Sequence, residues 1–365
     1  MKLRVGILGA TGAVGQKFIS LLENHPWFEI TSLAASERSA GKPYRNAAHW
    51  LEDISLPSEV AGIVVQDAFG PLLDCDFVFS GLDSSVAGEI EERYARAGYP
   101  VISNAGNFRM NADVPLLIPE VNPDHVSLIE QQQWGSDGYI VTNPNCASVG
   151  LTMALHPLHA AFGLEQVHVT TLQALSGAGY PGVSSLDAIA NVVPFISGEE
   201  EKVETEPLKI LGQLGSQAGG SQVQHAAIAI SAQCTRVPVV DGHLATVSVK
   251  LKTSVSPEAA IRVLNNFKSP ASIELLPSAP EKAIAYSDDP SFPQPRRHAS
   301  AGGGMTVSVG RLRRCPILDL KFVCLAHNTI RGAAGGAILN AELLASLGKI
   351  KHRTSELRPE VHTLG

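Results

Sequence analysis

Cys146 stands where a thiol could act as a nucleophile. The run Asn143-Pro144-Asn145-Cys146-Ala147-Ser148 follows Gly138-Tyr139-Ile140-Val141-Thr142, which reads as a strand. It precedes residues 149–162, apolar at Val149, Met153, Leu155 and Leu158, which read as a helix. The cysteine therefore falls at a strand-to-helix turn, at or just before the helix N-terminus. Unpaired backbone N–H groups and the positive end of the helix dipole lie there, and both favour the thiolate. A buried structural cysteine satisfies the same placement, so the turn alone leaves both readings open.

Other reactive side chains are scattered along the chain. His243 follows the turn Asp241-Gly242 and opens a run of clean period-two alternation, residues 243–251. Imidazole is the usual acid–base partner of a thiol, although a lone histidine is commonly structural. Arg236 marks the other end of that region, across Pro238. Arg109 lies in a loop beyond a strand's carboxyl end, where ligands of open parallel sheets bind; it suits a bidentate anion contact or a plain surface charge. Gln173 ends the strand 167–172. Glu206 and Lys209 are three apart on one helix face, for which a solvated pair is the simpler reading by spacing alone. Pro207 between them suggests that this helix starts there, with Glu206 near its N-cap. His156 and His159 have no further ligand placed near them, so no metal site is expected.

A second chemistry is written at the N-terminus. Residues 3–9 read as a strand, and Gly9-Ala10-Thr11-Gly12-Ala13-Val14-Gly15 leads into an amphipathic helix. Glycine at these spacings lets the backbone turn tightly and approach a pyrophosphate resting on the helix N-terminus. The next strand ends in Ala35-Ser36-Glu37-Arg38-Ser39. Ser36, Arg38 and Ser39 suit the 2′-phosphate of NADP, while Glu37 keeps NAD possible.

These residues need a scaffold that brings them together. A chain of 365 residues implies two domains. Apolar strands alternate with helices up to residue 145, which predicts a doubly wound parallel sheet. Beyond the cysteine helix, runs of strands at 228–232, 237–240, 243–251, 305–311 and 318–325 predict an α+β unit with a largely antiparallel sheet. The small-residue helix after His327-Asn328-Thr329-Ile330-Arg331-Gly332 is expected to pack back on the first unit. The expected division is therefore 1–145 with 328–365, and 146–327. The net charge of -7 argues against a nucleic-acid partner, and no apolar run is long enough to span a membrane. Five dispersed cysteines without a C-x-x-C pair fit a reducing, cytoplasmic setting.

With these motifs in hand, the chain resembles the aspartate-β-semialdehyde dehydrogenase family over nearly its whole length. The resemblance rests on the glycine run 9–15, Asn143-Pro144-Asn145-Cys146, Leu172-Gln173-Ala174-Leu175-Ser176-Gly177-Ala178-Gly179, Glu206-Pro207-Leu208-Lys209, Arg236 through His243, and Asn328-Thr329-Ile330-Arg331-Gly332. The step from Arg236 to His243 and the Ser-Gly-Ala-Gly-Tyr-Pro-Gly loop resemble the archaeal and fungal branch. The family's implied fold is a Rossmann-like N-terminal unit joined to a C-terminal catalytic and dimerisation unit. Its implied reaction is NADPH-dependent reduction of L-aspartyl-4-phosphate to the semialdehyde, a step towards lysine, methionine and threonine.

Carried over, Cys146 is the nucleophile that forms a thioester, His243 the acid–base, and Gln173 an orienting group. Arg236 holds the substrate carboxylate and Glu206 its ammonium; Arg109 and Lys209 hold phosphate, with Asn145 also on the substrate side. Gly9, Thr11, Gly12, Ala13, Val14, Gly15, Ser176, Gly177 and Asn328 face the cofactor, along with Ser36, Arg38 and Ser39. A homodimer or homotetramer is implied. Malonyl-CoA reductase and N-acetyl-glutamyl-phosphate reductase share the thioester chemistry, but the former has no substrate ammonium to pair with Glu206. A non-catalytic NADP sensor would not require both Cys146 and His243. Ala147-Ser148 replaces the Ser/Thr-rich continuation of many members.

Overall fold

The structure, a computed structural model, describes residues 1–217 and 220–353. The polar tail 354–365 lies outside the described residues. Six strands form the first sheet: β1 (Leu3–Leu8), β2 (Phe28–Ala35), β3 (Gln66–Asp67), β4 (Phe77–Ser80), β5 (Pro100–Ser103) and β6 (Tyr139–Thr142). Their order is β3-β2-β1-β4-β5-β6, and every pair is parallel. Strand order reverses between β1 and β4, which opens a crevice at their carboxyl ends. Helix α1 (Ala13–Leu22) leaves the glycine run directly above this crevice. A Cβ at Gly15 would collide with the carbonyl oxygen of Gly9, so only glycine lets the helix start so close to β1. Helix α2 (Ser84–Arg96) is capped by Asp83, whose carboxylate accepts from Ser85 N–H at 2.9 Å.

Helix α3 (Cys146–Phe162) starts three residues earlier than periodicity indicates, with Cys146 as its first residue and Asn145 as its N-cap. Residues 147–155 are all buried, because α3 lies at the junction of the first unit with the second sheet. That sheet uses β7 (Leu164–Gln173), β10 (Ala229–Arg236), β11 (His243–Leu251), β12 (Ile284–Ser287), β13 (Val307–Arg314) and β14 (Leu320–Ala326), in the order β10-β7-β11-β14-β13-β12. A separate hairpin, β8 (Gln213–Gln217) with β9 (Gly220–Gln224), lies between β7 and β10 in sequence. The three central pairings of the large sheet are antiparallel and the two outer ones parallel.

Three details differ from the sequence expectation. Residues 237–240 are not a strand. Pro238 lacks an N–H for a ladder, and the carbonyls of Val239 and Val240 instead accept from the N–H groups of Leu175 and Ser176, holding the glycine-rich loop. The short edge strand β12 is not foreshadowed by any alternation. Pro207 does not start a helix. Helix α4 (Glu199–Ile210) begins after Gly198, which takes a left-handed conformation, and Pro207 falls in its last turn. Three glutamates in the first turn favour the earlier start through the helix dipole.

After a π turn at Ile330–Ala334, the last helix among the described residues, α6 (Gly335–Ser346), buries Ile338, Leu339, Leu343 and Leu344 in the core beneath the first sheet. Helix α5 (Pro257–Asn265), capped by Ser256, covers the second core instead. Arg331 and Glu120 form a bidentate, fully buried pair at 2.6 and 2.7 Å, fixing the π turn beside α3. His25 and Ser278 both donate to buried Glu342, which anchors α6 from its other side.

Candidate active site

Cys146 and His243 meet although 97 residues separate them. Sγ lies 3.3 Å from Nε2. His243, the first residue of β11, is buried, and its Nδ1 accepts from the backbone N–H of Ala174 at 3.1 Å. An amide N–H only donates, so the imidazole proton sits on Nε2, facing the sulfur. Burial holds the ring neutral down to about 3, with Arg236 and then His327 pushing in the same direction. Gly177 permits this arrangement: a Cβ there would lie 2.8 Å from both the His243 ring and the Arg236 guanidinium.

The thiol itself is not poised as the turn suggested. Burial pushes Cys146 up to about 12 and Glu199 pushes the same way, while Arg109 and Arg236 oppose them. The helix amides expected to favour a thiolate are taken: Asn145 Oδ1 accepts from Ala147 N–H at 2.9 Å and Ser148 N–H at 3.3 Å.

Arg109, Glu206 and Lys209 also converge, but on one another. Glu206 is buried mid-helix in α4. Its Oε1 accepts from Arg109 Nη1 at 2.9 Å and its Oε2 from the backbone N–H of Asn145 at 2.7 Å. Arg109 spends Nη2 on the carbonyl of Asn104, and its Nε is buried without a partner among the described residues. Lys209, 1% exposed, donates to the carbonyls of Arg109, Asn111 and Val114 at 2.6–2.7 Å. Burial lowers it to about 8, and three acceptors that cannot donate require the ammonium form. Expected on phosphate, Lys209 has no proton left for it here and instead fixes the loop carrying Arg109.

Glu199 is a residue that sequence reasoning missed. Both its oxygens accept from Asn145 Nδ2, at 2.9 and 3.1 Å, and Oε2 also accepts from Gln173 Nε2 at 3.1 Å. Half-exposed Lys202 approaches Oε1 at 3.2 Å. Asn145, expected on the substrate, thus has its amide fully engaged by the helix cap and by Glu199. Arg236 donates Nη1 to the carbonyl of Ala174 at 2.8 Å and lies close enough to Cys146 to favour its thiolate. No pattern in the sequence pairs residue 199 with 145 and 173; only their shared position around α3 does.

Across the cleft from the thiol lies the glycine turn. A cavity of about 500 Å³ is lined on one wall by Gly12, Ala13, Val14 and Gly81, and on the other by Cys146, Ser176, Gly177 and Asn328. No side chain caps α1, so its N-terminus is available to an anion. Two residues missed by motif reading brace the turn: Tyr44 OH donates to Ala10 O at 2.7 Å, and Gln16 Nε2 to Thr11 O at 3.0 Å. Ser36 and Arg38 are exposed just past β2, and Ser39 is partly so. These features fit a dinucleotide with an additional phosphate. Asn328 lines the cavity and is held by both ends: its Oδ1 accepts from Gly242 N–H and its Nδ2 donates to Ser176 Oγ, both at 2.8 Å. Its amide thereby joins two loops of the thiol wall and keeps a second N–H for a ligand.

Two family models match the chain: "Semialdehyde dehydrogenase, NAD binding domain" over residues 4–129 and "Semialdehyde dehydrogenase, dimerisation domain" over residues 155–331. An aspartate-semialdehyde dehydrogenase of Archaeoglobus fulgidus is 50% identical over 346 residues, covering 94% of this chain and 98% of the relative. The chain belongs to the aspartate-semialdehyde dehydrogenase family. A Schizosaccharomyces pombe member is 49% identical over 94% of this chain and 98% of its own. The crystal structure of the Candida albicans member with NADP superposes with a TM-score of 0.87 at 44% identity, covering 96% of this chain and all of that one. A Vibrio cholerae member gives 0.75 at 27% identity, covering 95% and 99%. The archaeal and fungal members named here thus stand nearer to this dehydrogenase than the Vibrio one does, as the Arg236–His243 step implies.

Proposed function

We propose that this chain reduces L-aspartyl-4-phosphate to L-aspartate-4-semialdehyde and phosphate with NADPH, through a thioester on Cys146. The observation that carries this reading is the Cys146–His243 pair at 3.3 Å, on the opposite wall of one cavity from the glycine turn. The sulfur of Cys146 attacks the acyl carbon, the C–S bond forms, the C–O bond to phosphate breaks, and the thiol proton leaves with the phosphate. Bound NADPH supplies the hydride that reduces the thioester. The resulting oxyanion accepts a hydrogen bond from His243 Nε2–H, and its collapse expels the thiolate and frees the aldehyde.

His243 was expected to shuttle a proton. The amide of Ala174 at Nδ1 favours a different role, a neutral ring that keeps Nε2–H as a donor throughout. Arg236 is our candidate for the substrate carboxylate, since its second terminal nitrogen makes no protein hydrogen bond among the described residues. Ser36, Arg38, Ser39 and the turn of Gly9, Thr11, Gly12, Ala13, Val14 and Gly15 would hold NADP, with Ser176 and Gly177 on its other side. Glu206 and Arg109 are our candidates for the ammonium and the phosphate; Arg109 lines the cavity and keeps N–H donors beyond its bond to Glu206.

We also infer a homo-oligomer. The outer face of the second sheet carries exposed Gln166 and His168 and a shallow apolar cavity of about 430 Å³ with Cys315 and Ile317, which supports a second copy there. Among the described residues no helix is long and apolar enough to cross a membrane. The test is phosphate-dependent reduction of NADP by aspartate semialdehyde, with malonyl-CoA plus NADPH in parallel. Cys146→Ser should lose at least about 10⁴-fold in kcat and retain NADP binding by fluorescence titration. Turnover of malonyl-CoA alone would overturn the substrate.

A further inference from the structure

Glu199 is a buried carboxylate outside every motif that carries the family resemblance, yet it joins two of them. It accepts from the side-chain amide of Asn145, which caps α3 immediately before Cys146, and from the side-chain amide of Gln173, which ends β7. Among the described residues its only salt bridge is to Lys202 at 3.2 Å, a half-exposed side chain one turn along α4. A carboxylate so placed fixes the sense of both amides, because it can face only their NH₂ ends. Asn145 is thereby held with Oδ1 on the Ala147 and Ser148 amides. Gln173 is held with its NH₂ turned to Glu199, which leaves its carbonyl oxygen as the end without a hydrogen bond among the described residues.

We propose that Glu199 is a positioning residue of the thioester chemistry, acting through Asn145 to seat Cys146 at the start of α3 and through Gln173 to present a hydrogen-bond acceptor. This rests on the reading of Cys146 as the nucleophile. It gives Gln173 a definite role: a carbonyl oxygen cannot stabilise an oxyanion, but it can accept from a donor such as the substrate's ammonium. It also explains why an acid sits where a thiolate must form. The charge works against ionisation of the resting thiol, as the direction of the Cys146 shift indicates, while the geometry it imposes serves the bound substrate.

The experiment compares Glu199→Gln, Glu199→Asp, Gln173→Ala and the double variant Glu199→Gln/Gln173→Ala with the wild-type enzyme, assaying turnover and site-resolved iodoacetamide labelling of Cys146 against pH. Glu199→Gln replaces one acceptor oxygen by an NH₂ group that must face Asn145 Nδ2 and a second donor, Lys202 or Gln173, and kcat is expected to fall about 100-fold with KM changing less. Its Cys146 labelling should rise at lower pH than in the wild type, a shift that a merely structural role would not produce. Combined with Gln173→Ala, its effect should be less than multiplicative. Glu199→Asp keeps the charge but shortens the arm: wild-type labelling with reduced kcat is expected, and this variant decides the matter if Glu199→Gln does not fold. Wild-type kcat in either Glu199 variant, or strictly multiplicative effects, would overturn the proposal. An inactive wild-type enzyme would instead overturn the reaction assigned to the site.

Discussion

On the nucleotide wall of the cleft, the groups facing the cavity are backbone of Gly12–Val14 and an α1 terminus that no side chain caps. On the thiol wall and just behind it they are side chains from separate stretches of chain, and many are already hydrogen-bonded to protein: Asn145 to Glu199, Glu206 to Arg109, Lys209 to three carbonyls, Asn328 to Ser176. The first wall waits for a ligand with the N–H groups of Ala13 and Val14 unspent among the described residues. The second holds its geometry by spending them, because a buried charge or amide without a partner is costly. Recognition by glycine and backbone needs little support. Recognition by converging charges needs each charge neutralised in the resting state.

The largest test of this contrast removes one charge from the thiol wall. Glu206→Ala leaves Arg109 buried without its carboxylate and Asn145 N–H without an acceptor, and should cost about 3–5 kcal/mol in urea unfolding. A loss under about 1 kcal/mol would mean that the pair is open in solution. Lys209→Met should cost about 2–3 kcal/mol by orphaning three carbonyls, with or without phosphate. A rise in phosphate KM at unchanged stability would restore the lysine to the phosphate site. On the nucleotide wall, Arg38→Ala should leave stability within about 0.5 kcal/mol and raise KM for NADP about tenfold, with kcat unchanged. Equal effects on NAD and NADP would remove the 2′-phosphate contact.

The smallest effect near neutrality is a pH dependence. His243 titrates near 6.5 in the unfolded chain but only near 3 when folded. Between those values the unfolded chain binds the proton and the folded one does not, so stability rises with pH. This contribution is fully present above about pH 6.5 and is lost as pH falls towards 3. His243→Asn should flatten the urea midpoint between about pH 6.5 and 5; an unchanged slope would mean that the ring is charged in the folded enzyme.

Much of this was legible from local pattern. The glycine run, the strand-to-helix turn at Cys146 and the alternation of 243–251 all depend on neighbours within a few residues, where backbone sterics and side-chain periodicity act. The resemblance added the partners Gln173 and Arg236; the fold brings Arg236 close enough to act on the Cys146 charge and ties Gln173 to Asn145 through Glu199. Legibility failed wherever a side chain's use depends on what lies opposite it. Lys209 and Arg109 are both cations by sequence; only the fold sets one against three carbonyls and the other against Glu206. Pro207 misled for the same reason, since the acidic start of α4 and its packing outweigh one missing N–H.

The sequence by itself determined that the first sheet is parallel, that a glycine turn opens α1, that Cys146 stands at a helix start and that His243 opens a strand. Each is a property of short-range geometry or of a single residue type. Tertiary structure alone decided which polar groups remain free, that His243 carries its proton on Nε2, that burial pushes the Cys146 thiol up, and that Glu199 holds Asn145 and Gln173 together. Those are matters of burial and of partner choice across tens of residues, and neither exists before the chain has folded.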